Sequence, residues 1–402
     1  MGSKRNLLQN ELGELLLQHS LGKKRFIDLF SGSGIVATYM AKNTHLEVIG
    51  VDLQSYTKVM LDAILTRTNK HDITYLVDVW IPKIKNIRKN SQYWKQIAAL
   101  ENFDNKDLTY VMSNRELCSQ KSHIGPVFNA YGGYYFNALQ ALTIDYMLKY
   151  LPDNESDKLL CHAAIIASAS QYSASPGHTA QPFNPSNEKG LKHIIEAWSK
   201  DPLEYFERKL YSLANEYVNT LGKSVTADAL DVCKNLTKDD LVFIDPPYSG
   251  VQYSRFYHVL ETIARNTKYD VTGVGRYPEI TERPQSLFSN VGTSKKALED
   301  LLTALSKTNA TVVITYPEKE CSNGLSGDYI LEIADEYYET SKIQLRSKFS
   351  TMGGNNSNRD SHMHYEELIL VLNPKSATNK SYTHNVNSLV SELQSPTSQA
   401  TC

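Results

Sequence analysis

The segment 241–248 combines the residue types of a binding corner for a flat polar ring. Its four apolar residues indicate a buried strand of a parallel sheet, which must end before Pro246 because proline has no N–H for the ladder. Asp245 therefore lies at a strand's carboxyl end, where open α/β sheets bind ligands, and Pro247 stiffens the backbone beyond it. Asp245 and the Pro246 carbonyl could accept both N–H groups of an amine such as that of adenine, while Tyr248 stacks on the ring. The alternative is a strand that ends in a proline turn with a surface tyrosine.

A glycine-rich turn supplies a second candidate corner. Residues 25–30 predict a strand, which continues into Ser31-Gly32-Ser33-Gly34 and a helix over about 35–42. A strand, glycine turn and helix are typical of the nucleotide-facing corner of a Rossmann-like unit. The turn lacks the full GxGxxG spacing and the Walker lysine, which disfavours a dinucleotide or a triphosphate. The next predicted strand, 46–52, ends in Asp52, placed to accept hydrogen bonds from ribose hydroxyls. The alternative is an ordinary βαβ unit.

Composition sets the broad class. The chain has 402 residues, a formal net charge of −2 and 41% hydrophobic residues, enough for one large or two moderate domains. The sequence contains no run of about 18 apolar residues, so it predicts no membrane span. Its start lacks the apolar core of a signal peptide. Five scattered cysteines without a CxxC favour a reducing cytosol and argue against structural zinc. Near-neutral charge means that any nucleic-acid surface must be local.

The alternation of strands and helices stops between about residues 68 and 222 and then returns. Predicted helices cover 6–19, 35–42, 55–66, 137–150, 159–171, most of 191–221, 258–265 and 295–307. Predicted strands cover 25–30, 46–52, 224–230, 241–244, 310–316, 342–349 and 366–372. Residues 250–257 and 273–290 read as loops, and a loop at 353–361 joins the last strand pair. Few large apolar residues follow Pro374, which is typical of a disordered tail.

Two stretches of this interrupting segment contain candidate nucleic-acid contacts. Basic residues surround two aromatic residues in the first: Lys83, Lys85, Arg88, Lys89 and Lys95 lie around Tyr93 and Trp94. Such a patch can hold phosphates, although a solvated helix face is the commoner meaning of a charge run. The second stretch is the loop 173–183, in which His178 and Gln181 could read bases. The alternative there is a loop histidine with satisfied hydrogen bonds.

Taken together, these motifs resemble the Dam-like, alpha-group adenine-specific DNA methyltransferases, which use S-adenosyl-L-methionine and no metal. The resemblance covers most of the chain in order. It implies that Lys4, in Gly-Ser-Lys-Arg, lies at the cofactor pocket, that Asp52 binds the ribose and that Asp228 lies beside the cofactor's adenine. The segment Asp-Leu-Phe-Ser-Gly-Ser-Gly resembles the motif that wraps the methionine half and implies four contacts: Asp28, Phe30, Gly32 and Gly34. The aromatic residue that usually opens the N-terminal motif is absent, and Leu29 stands where many relatives have proline.

The catalytic half carries the rest of the resemblance. Its tetrapeptide matches Asp-Pro-Pro-Tyr and implies catalytic roles for Asp245, Pro246, Pro247 and Tyr248, with Asp245 also at the cofactor. Phe256-Tyr-His-Val-Leu-Glu resembles the motif that follows. The implied fold is a Rossmann-like class I methyltransferase sheet, mostly parallel, with an antiparallel strand pair at the C-terminal edge. The implied domains are a catalytic domain, an inserted, mainly helical target-recognition domain and a tail: 1–67 with 223–374, 68–222, and 375–402.

The implied activity is methylation of N6 of an adenine flipped out of duplex DNA, in a restriction–modification, orphan or phage role. Double-stranded DNA is the implied partner, with a cognate restriction endonuclease in the first of these roles. We expect a cytoplasmic monomer or weak dimer without a membrane partner. Three alternatives remain: an rRNA adenine or guanine methyltransferase on the same fold, a protein glutamine methyltransferase, which normally has Asn in place of Asp245, and a DNA-binding module without turnover. Whether Asp245 also removes a proton is left open.

Overall fold

The structure is a computed structural model that describes residues 4–103, 105–120, 124–349 and 363–375. Its α-helices in chain order are α1 Lys4–Leu8, α2 Glu11–Ser20, α3 Ile35–Asn43, α4 Ser55–Leu65, α5 Ile81–Lys89, α6 Trp94–Glu101, α7 Leu108–Ser119, α8 Pro126–Tyr131, α9 Ala138–Lys149, α10 Glu155–Tyr172, α11 Glu188–Trp198, α12 Pro202–Ala214, α13 Ala229–Cys233, α14 Tyr253–Arg265, α15 Ser294–Ser306 and α16 Gly327–Tyr337. A π-helix covers Leu76–Trp80, and short 3₁₀ helices cover Ile280–Glu282 and Leu287–Ser289. The strands are β1 Arg25–Asp28, β2 Glu47–Asp52, β3 Lys223–Thr226, β4 Asp240–Ile244, β5 Val271–Thr272, β6 Tyr277–Pro278, β7 Thr311–Pro317, β8 Tyr338–Phe349 and β9 Met363–Pro374.

A seven-stranded sheet, in the order β3-β2-β1-β4-β7-β9-β8, organises the fold. The first five strands are parallel, and β9 and β8 run antiparallel at one edge, so the predicted mixed α/β sheet with an antiparallel pair is confirmed. Asp28 of β1 lies opposite Phe243 of β4. The glycine turn after β1 and the Asp-Pro-Pro-Tyr segment after β4 therefore leave the sheet side by side, where strand order reverses.

Alternating apolar residues of the central strands fill two layers of core. One face, with Phe26 and Leu241, packs against α2, α3 and α4. The other face, with Ile27 and Val242, packs against α13, α15 and α16. Because both faces are covered, the strands read as continuous apolar runs rather than as alternating ones. The core holds the strand ends rigidly while leaving their carboxyl edge open.

Helices make up the segment between α4 and β3, as the lost strand rhythm predicted. Its core is continuous with the sheet domain, because Trp80 and Phe128 belong to the same apolar cluster as Tyr56 of α4 and Tyr257 of α14. The segment thus packs on α4 and α14 instead of standing apart from them. No helix in the described part of the chain is long and apolar enough to cross a membrane.

The predicted helix over 6–19 is in fact two helices, α1 and α2. Asn10 leaves the helical region with φ −131° and ψ −133°. Gly13 then lies so close to α1 that a Cβ there would be 2.0 Å from the Leu8 carbonyl oxygen. The tight packing of two short helices replaces the continuous amphipathic helix that the leucine spacing predicted.

Among the boundaries that differ from those predicted, two lie near the carboxyl edge of the sheet. The strand expected over 224–230 ends at Thr226, because the Asp228 side chain accepts from Leu230 N at 2.9 Å and so begins α13. Residues 250–257 were predicted as a loop, yet α14 begins at Tyr253 and is kinked at Tyr257, with φ −128° and ψ 15°. The predicted loop 353–361 and the tail beyond residue 375 lie outside the described residues.

Candidate active site

A cleft of about 390 Å³ opens at the carboxyl ends of β1, β2 and β4. Gly32 of the glycine turn and Tyr248 of the second corner line the same cleft, although more than 200 residues separate them. The predicted site residues that line it are Lys4, Asp28, Phe30, Gly32, Asp52, Asp228, Asp245, Pro246, Pro247 and Tyr248. Two segments predicted separately therefore form one site.

The predicted Gly34 is absent from the residues that line the cleft. It precedes α3 with φ +72°, in the left-handed region that favours glycine. A Cβ there would lie 2.5 Å from Cδ2 of Leu61. The structure therefore explains this glycine by backbone conformation and packing.

Asp52 joins the glycine turn to the loop after β2. Its carboxylate oxygens accept from Gly32 N at 2.9 Å and from Gln54 N at 2.8 Å. Gly32 has φ +48°, so its amide can face the carboxylate without strain. Burial raises the pKa of Asp52 to about 6, against the lowering effect of these amides. The acid thus holds both loops in place and still lines the cleft.

Asp28 is a buried carboxylate that lies near the backbone amides of Phe30 and Ala37. It is 1% exposed, and its Oδ1 accepts from Phe30 N at 3.4 Å. Burial, and after it the negative charge of Asp245, raises the pKa of Asp28 to about 8. A positive charge in the cleft would relieve this concentration of carboxylates.

Lys4 bridges two carboxylates at the catalytic corner. Its Nζ lies 3.1 Å from Oδ1 of Asp245 and is paired with Glu367 of β9. Burial alone would lower the pKa of Lys4, but the charges of Asp245 and Glu367 outweigh burial and raise it. The predicted cofactor-pocket lysine does line the cleft, but the structure uses its ammonium to hold Asp245.

Three residues that the sequence interpretation missed also fix this corner. Thr315 Oγ1 donates to Asp245 Oδ1 at 3.0 Å. Asn323 Nδ2 donates to the Pro247 carbonyl at 2.7 Å, and Glu367 pairs with Lys4. A signal existed for Thr315, which is a polar residue between apolar residues of a buried strand, but not for Glu367, which follows another glutamate in β9.

Asp245, Pro246 and Tyr248 line the cleft together. Among the residues that the structure describes, no donor binds the Pro246 carbonyl. Tyr248 packs edge-on against Tyr253, with ring centroids 6.4 Å apart. Phe30 and Phe288 meet edge to face at 5.0 Å and add an apolar wall. The corner thus combines a carboxylate, a backbone carbonyl without a described donor and an aromatic ring.

The predicted basic patch divides in two. Lys83, Lys85 and Lys89 are exposed on α5, whereas Arg88 is 5% exposed. Arg88 lies over the Trp94 ring, 5.6 Å from its centroid, and one of its terminal nitrogens donates to the hydroxyl of Thr143 at 3.2 Å. Phosphate contact therefore does not fit Arg88, which shares the buried face of α5 with Ile84, four residues earlier.

The loop 173–183 lies against the catalytic half. Thr179 N donates to the Phe256 carbonyl at 2.7 Å, and the His178 ring packs on Phe256 with centroids 5.0 Å apart. Burial lowers the pKa of the half-buried His178, while Gln181 is exposed. Neither residue lines the cleft. Within the described ranges, no group of three or more His, Cys, Asp or Glu side chains could hold a metal ion.

The comparison with known families matches this geometry. Residues 1–312 match the model of the D12 class N6 adenine-specific DNA methyltransferases. The chain belongs to this family. The matched residues include the glycine turn and the Asp-Pro-Pro-Tyr corner, and they end before Glu367.

Similar proteins are modification enzymes. The chain is 24% identical to modification methylase LlaI of Lactococcus lactis subsp. lactis over 399 residues, which cover 95% of this chain and 56% of LlaI. It is 23% identical to modification methylase StsI of Streptococcus sanguinis, over 78% of this chain and 43% of StsI. It is 26% identical to type II methyltransferase M.FokI of Planomicrobium okeanokoites, over 70% of this chain and 37% of M.FokI. The chain spans about half the length, or less, of these curated relatives.

Proposed function

We propose that this protein transfers a methyl group from S-adenosyl-L-methionine to N6 of adenine in duplex DNA. The observation that carries the proposal is the single cleft shared by the glycine turn and the Asp-Pro-Pro-Tyr corner. The D12 class family, to which the chain belongs, is specific for adenine and methylates its N6 atom. The similar modification methylases favour a role beside a restriction endonuclease in the cytoplasm. The helical segment 68–222 would then serve as the target-recognition domain.

The chemistry of the cleft fits this cofactor. S-adenosyl-L-methionine supplies an activated methyl group on a positively charged sulfonium. The cleft contains Asp28 and Asp52, two buried carboxylates whose pKa values burial raises to about 8 and about 6. A bound cation would stabilise their ionised forms. In this arrangement the turn at Phe30 and Gly32 would hold the methionine half, Asp52 the ribose and Asp228 the adenine.

The catalytic corner would orient the amine of the target base. Asp245 and the Pro246 carbonyl would accept its two N–H groups, while Tyr248 stacks on the flipped-out ring. These bonds favour a tetrahedral nitrogen whose lone pair points at the methyl group. Lys4 and Thr315 hold Asp245 from the side, so the acceptor is positioned before the base arrives. Much of the rate would then come from alignment in a closed site rather than from a covalent intermediate.

Methylation of genomic DNA tests the proposal directly. DNA from cells with and without the protein would be read by modification-sensitive sequencing, and the purified chain would be assayed with labelled cofactor. We expect N6-methyladenine at one short sequence motif, only where the protein is present. Methylation of rRNA in place of duplex DNA, or of another atom of DNA, would refute the assignment.

A further inference from the structure

Four arginine side chains gather around a short hairpin beside the cleft, and one of them, Arg276, lies on the hairpin itself. The hairpin pairs β5 with β6 in antiparallel fashion, through a turn at Gly273–Arg276. The chain continues to Pro284 and Ser286, which line the cleft. The hairpin and the residues that follow it therefore lie at the edge of the candidate active site.

Two guanidinium groups flank the ring of Tyr134 at this edge. Those of Arg115 and Arg276 each lie 4.4 Å from the ring centroid. Backbone carbonyls orient both: Arg115 Nε donates to Gly133 at 3.0 Å, and Arg276 Nε donates to Ala130 at 2.7 Å. Both arginines are half-buried, so the ring and the carbonyls fix their planes while part of each side chain stays accessible.

Tyr277 of the hairpin repeats the arrangement. Arg255 and Arg283 lie 4.7 Å and 5.5 Å from its ring centroid. Arg255 is exposed, and the buried Nε of Arg283 has no hydrogen-bond partner among the described residues. We call Tyr134, Tyr277 and the four arginines the arginine–tyrosine surface.

Acidic side chains of the described residues do not neutralise the charges of this surface. In the described ranges, none of its four arginines forms an ion pair with a carboxylate, although Glu279 and Glu282 lie on the same segment. Burial lowers the pKa of Arg115 and Arg283, and the like charge of the neighbouring arginine lowers it further. By contrast, Arg208 on α12 lies over a tyrosine ring but also pairs with Glu204 at 3.2 Å. Holding like charges together without acids is costly unless an anion binds them.

The loop 173–183 packs against the same hairpin. The hydroxyl of Tyr135 donates to the carbonyls of Thr179 at 2.7 Å and Gly275 at 2.9 Å, and that of Tyr277 donates to the carbonyl of Ala180. The exposed Gln181 therefore lies next to the arginine–tyrosine surface. The hairpin and the loop are therefore in direct contact.

We propose that the arginine–tyrosine surface binds the phosphate backbone of duplex DNA beside the adenine that enters the cleft. The inference rests on the proposed function and adds the surface on which the duplex lies. Guanidinium groups match phosphate oxygens in pairs, and a ring that fixes their plane reduces the entropy lost on binding. The lysines of α5 are the competing surface, but α5 packs on α9 and contributes no residue to the cleft.

Phosphate contacts can be counted from the salt dependence of binding, and no recognition sequence is needed for this. The probe is a fluorescent DNA duplex of mixed sequence, titrated with the full chain at several salt concentrations. Arg255→Gln with Arg283→Gln removes two charges from the arginine–tyrosine surface without removing the arginines bound to carbonyls. We call this double variant the hairpin pair, because both arginines lie beside Tyr277 of the hairpin. Lys83→Gln with Lys85→Gln removes two charges from α5. The matched control is Arg208→Gln with Lys209→Gln, which removes two charges from α12.

We expect the hairpin pair to reduce the slope of log K against log salt by about 2, since each phosphate contact contributes about 0.9. The α12 pair should leave the slope unchanged. An unchanged slope in the hairpin pair, or a reduction seen only in the α5 pair, would overturn the proposal. If thermal unfolding shows that the hairpin pair does not fold, the exposed Arg255→Gln alone should reduce the slope by about 1. A failure of the proposed function would look different, because wild-type protein would then methylate no DNA.

Discussion

Two buried aspartates, one in the cleft and one in the helical segment, show how differently the two regions treat charge. Asp28 and Asp145 are 1% and 2% exposed, and burial raises their pKa values to about 8 and about 7. Asp145 accepts from Val127 N at 3.0 Å and Phe128 N at 2.8 Å, and so caps α8. Asp28 instead faces the further carboxylates of Asp245 and Asp52. The helical segment gives its buried acid two close amide donors, whereas the buried acid of the cleft lies among further carboxylates.

The same contrast holds for buried cations. Arg88 in the helical segment lies over a tryptophan ring and donates to a threonine hydroxyl. It does not line the cleft. Lys4 holds the Asp245 carboxylate on which the proposed chemistry depends. A buried polar group therefore indicates function only where its partners open onto a cavity. Changes at the catalytic corner of the cleft should alter chemistry, and a change at Asp145 of the helical segment should alter stability.

The largest effect is expected for Asp245→Ala. Removing the carboxylate acceptor should reduce methyl transfer by about 100-fold or more, because the amine loses a charged hydrogen bond in the transition state. Cofactor binding, measured by calorimetry, should persist, since Lys4 keeps Glu367 as a partner. Asp231→Ala, at an exposed acid paired with Lys234, is the control. Normal turnover by the Asp245 variant would refute the site.

Asp145→Ala tests the other half of the comparison. Two amides at the start of α8 would lose a charged acceptor, so we expect the free energy of unfolding to fall by about 3 kcal/mol. Urea denaturation measures this, with Asp153→Ala as the exposed control, expected within about 0.5 kcal/mol of wild type. If both variants unfold at the same urea concentration, Asp145 is not a structural cap and the contrast with Asp28 fails.

Tyr248→Ala should reduce kcat/KM by about 10- to 100-fold, since base stacking on an aromatic ring contributes about 1–3 kcal/mol. Tyr248→Phe keeps the ring and should remain near wild type. Steady-state methylation of a duplex substrate separates the two variants. A phenylalanine variant as slow as the alanine variant would assign the effect to the hydroxyl instead of the ring.

The last prediction is a pH dependence of stability that comes from Asp28. Its pKa is raised from 3.8 to about 8 by folding, so the folded state keeps a proton that the unfolded chain releases. The contribution of Asp28 to the free energy of unfolding is fully present below about pH 4 and should be lost as the pH rises to about 8. In Tm measurements without cofactor, wild type should decline relative to Asp28→Asn over this range. Parallel curves would show that Asp28 is not held protonated in the folded state.

Local sequence patterns predicted much of the sheet and the core of the site. The apolar runs of β1, β2, β4 and β7 end at turn residues, so each strand and its end could be read without the fold. The break after α1 was missed because Gln9 and Asn10 are neither proline nor glycine. The start of α14 was missed because its first residues show no apolar period. Arg88 was assigned to a surface because charge runs usually lie in solvent.

The sequence by itself determined that a strand ends in Asp-Pro-Pro-Tyr, that another ends in a glycine turn, and that both belong to a parallel sheet. Those features depend on residues within a few positions of each other, where backbone propensity and apolar pattern act. Only the tertiary structure decided that Lys4, Thr315 and Glu367 surround Asp245 and that two tyrosines each hold two arginines. These contacts join segments that are distant along the chain, and a local pattern carries no record of which distant segments will pack together.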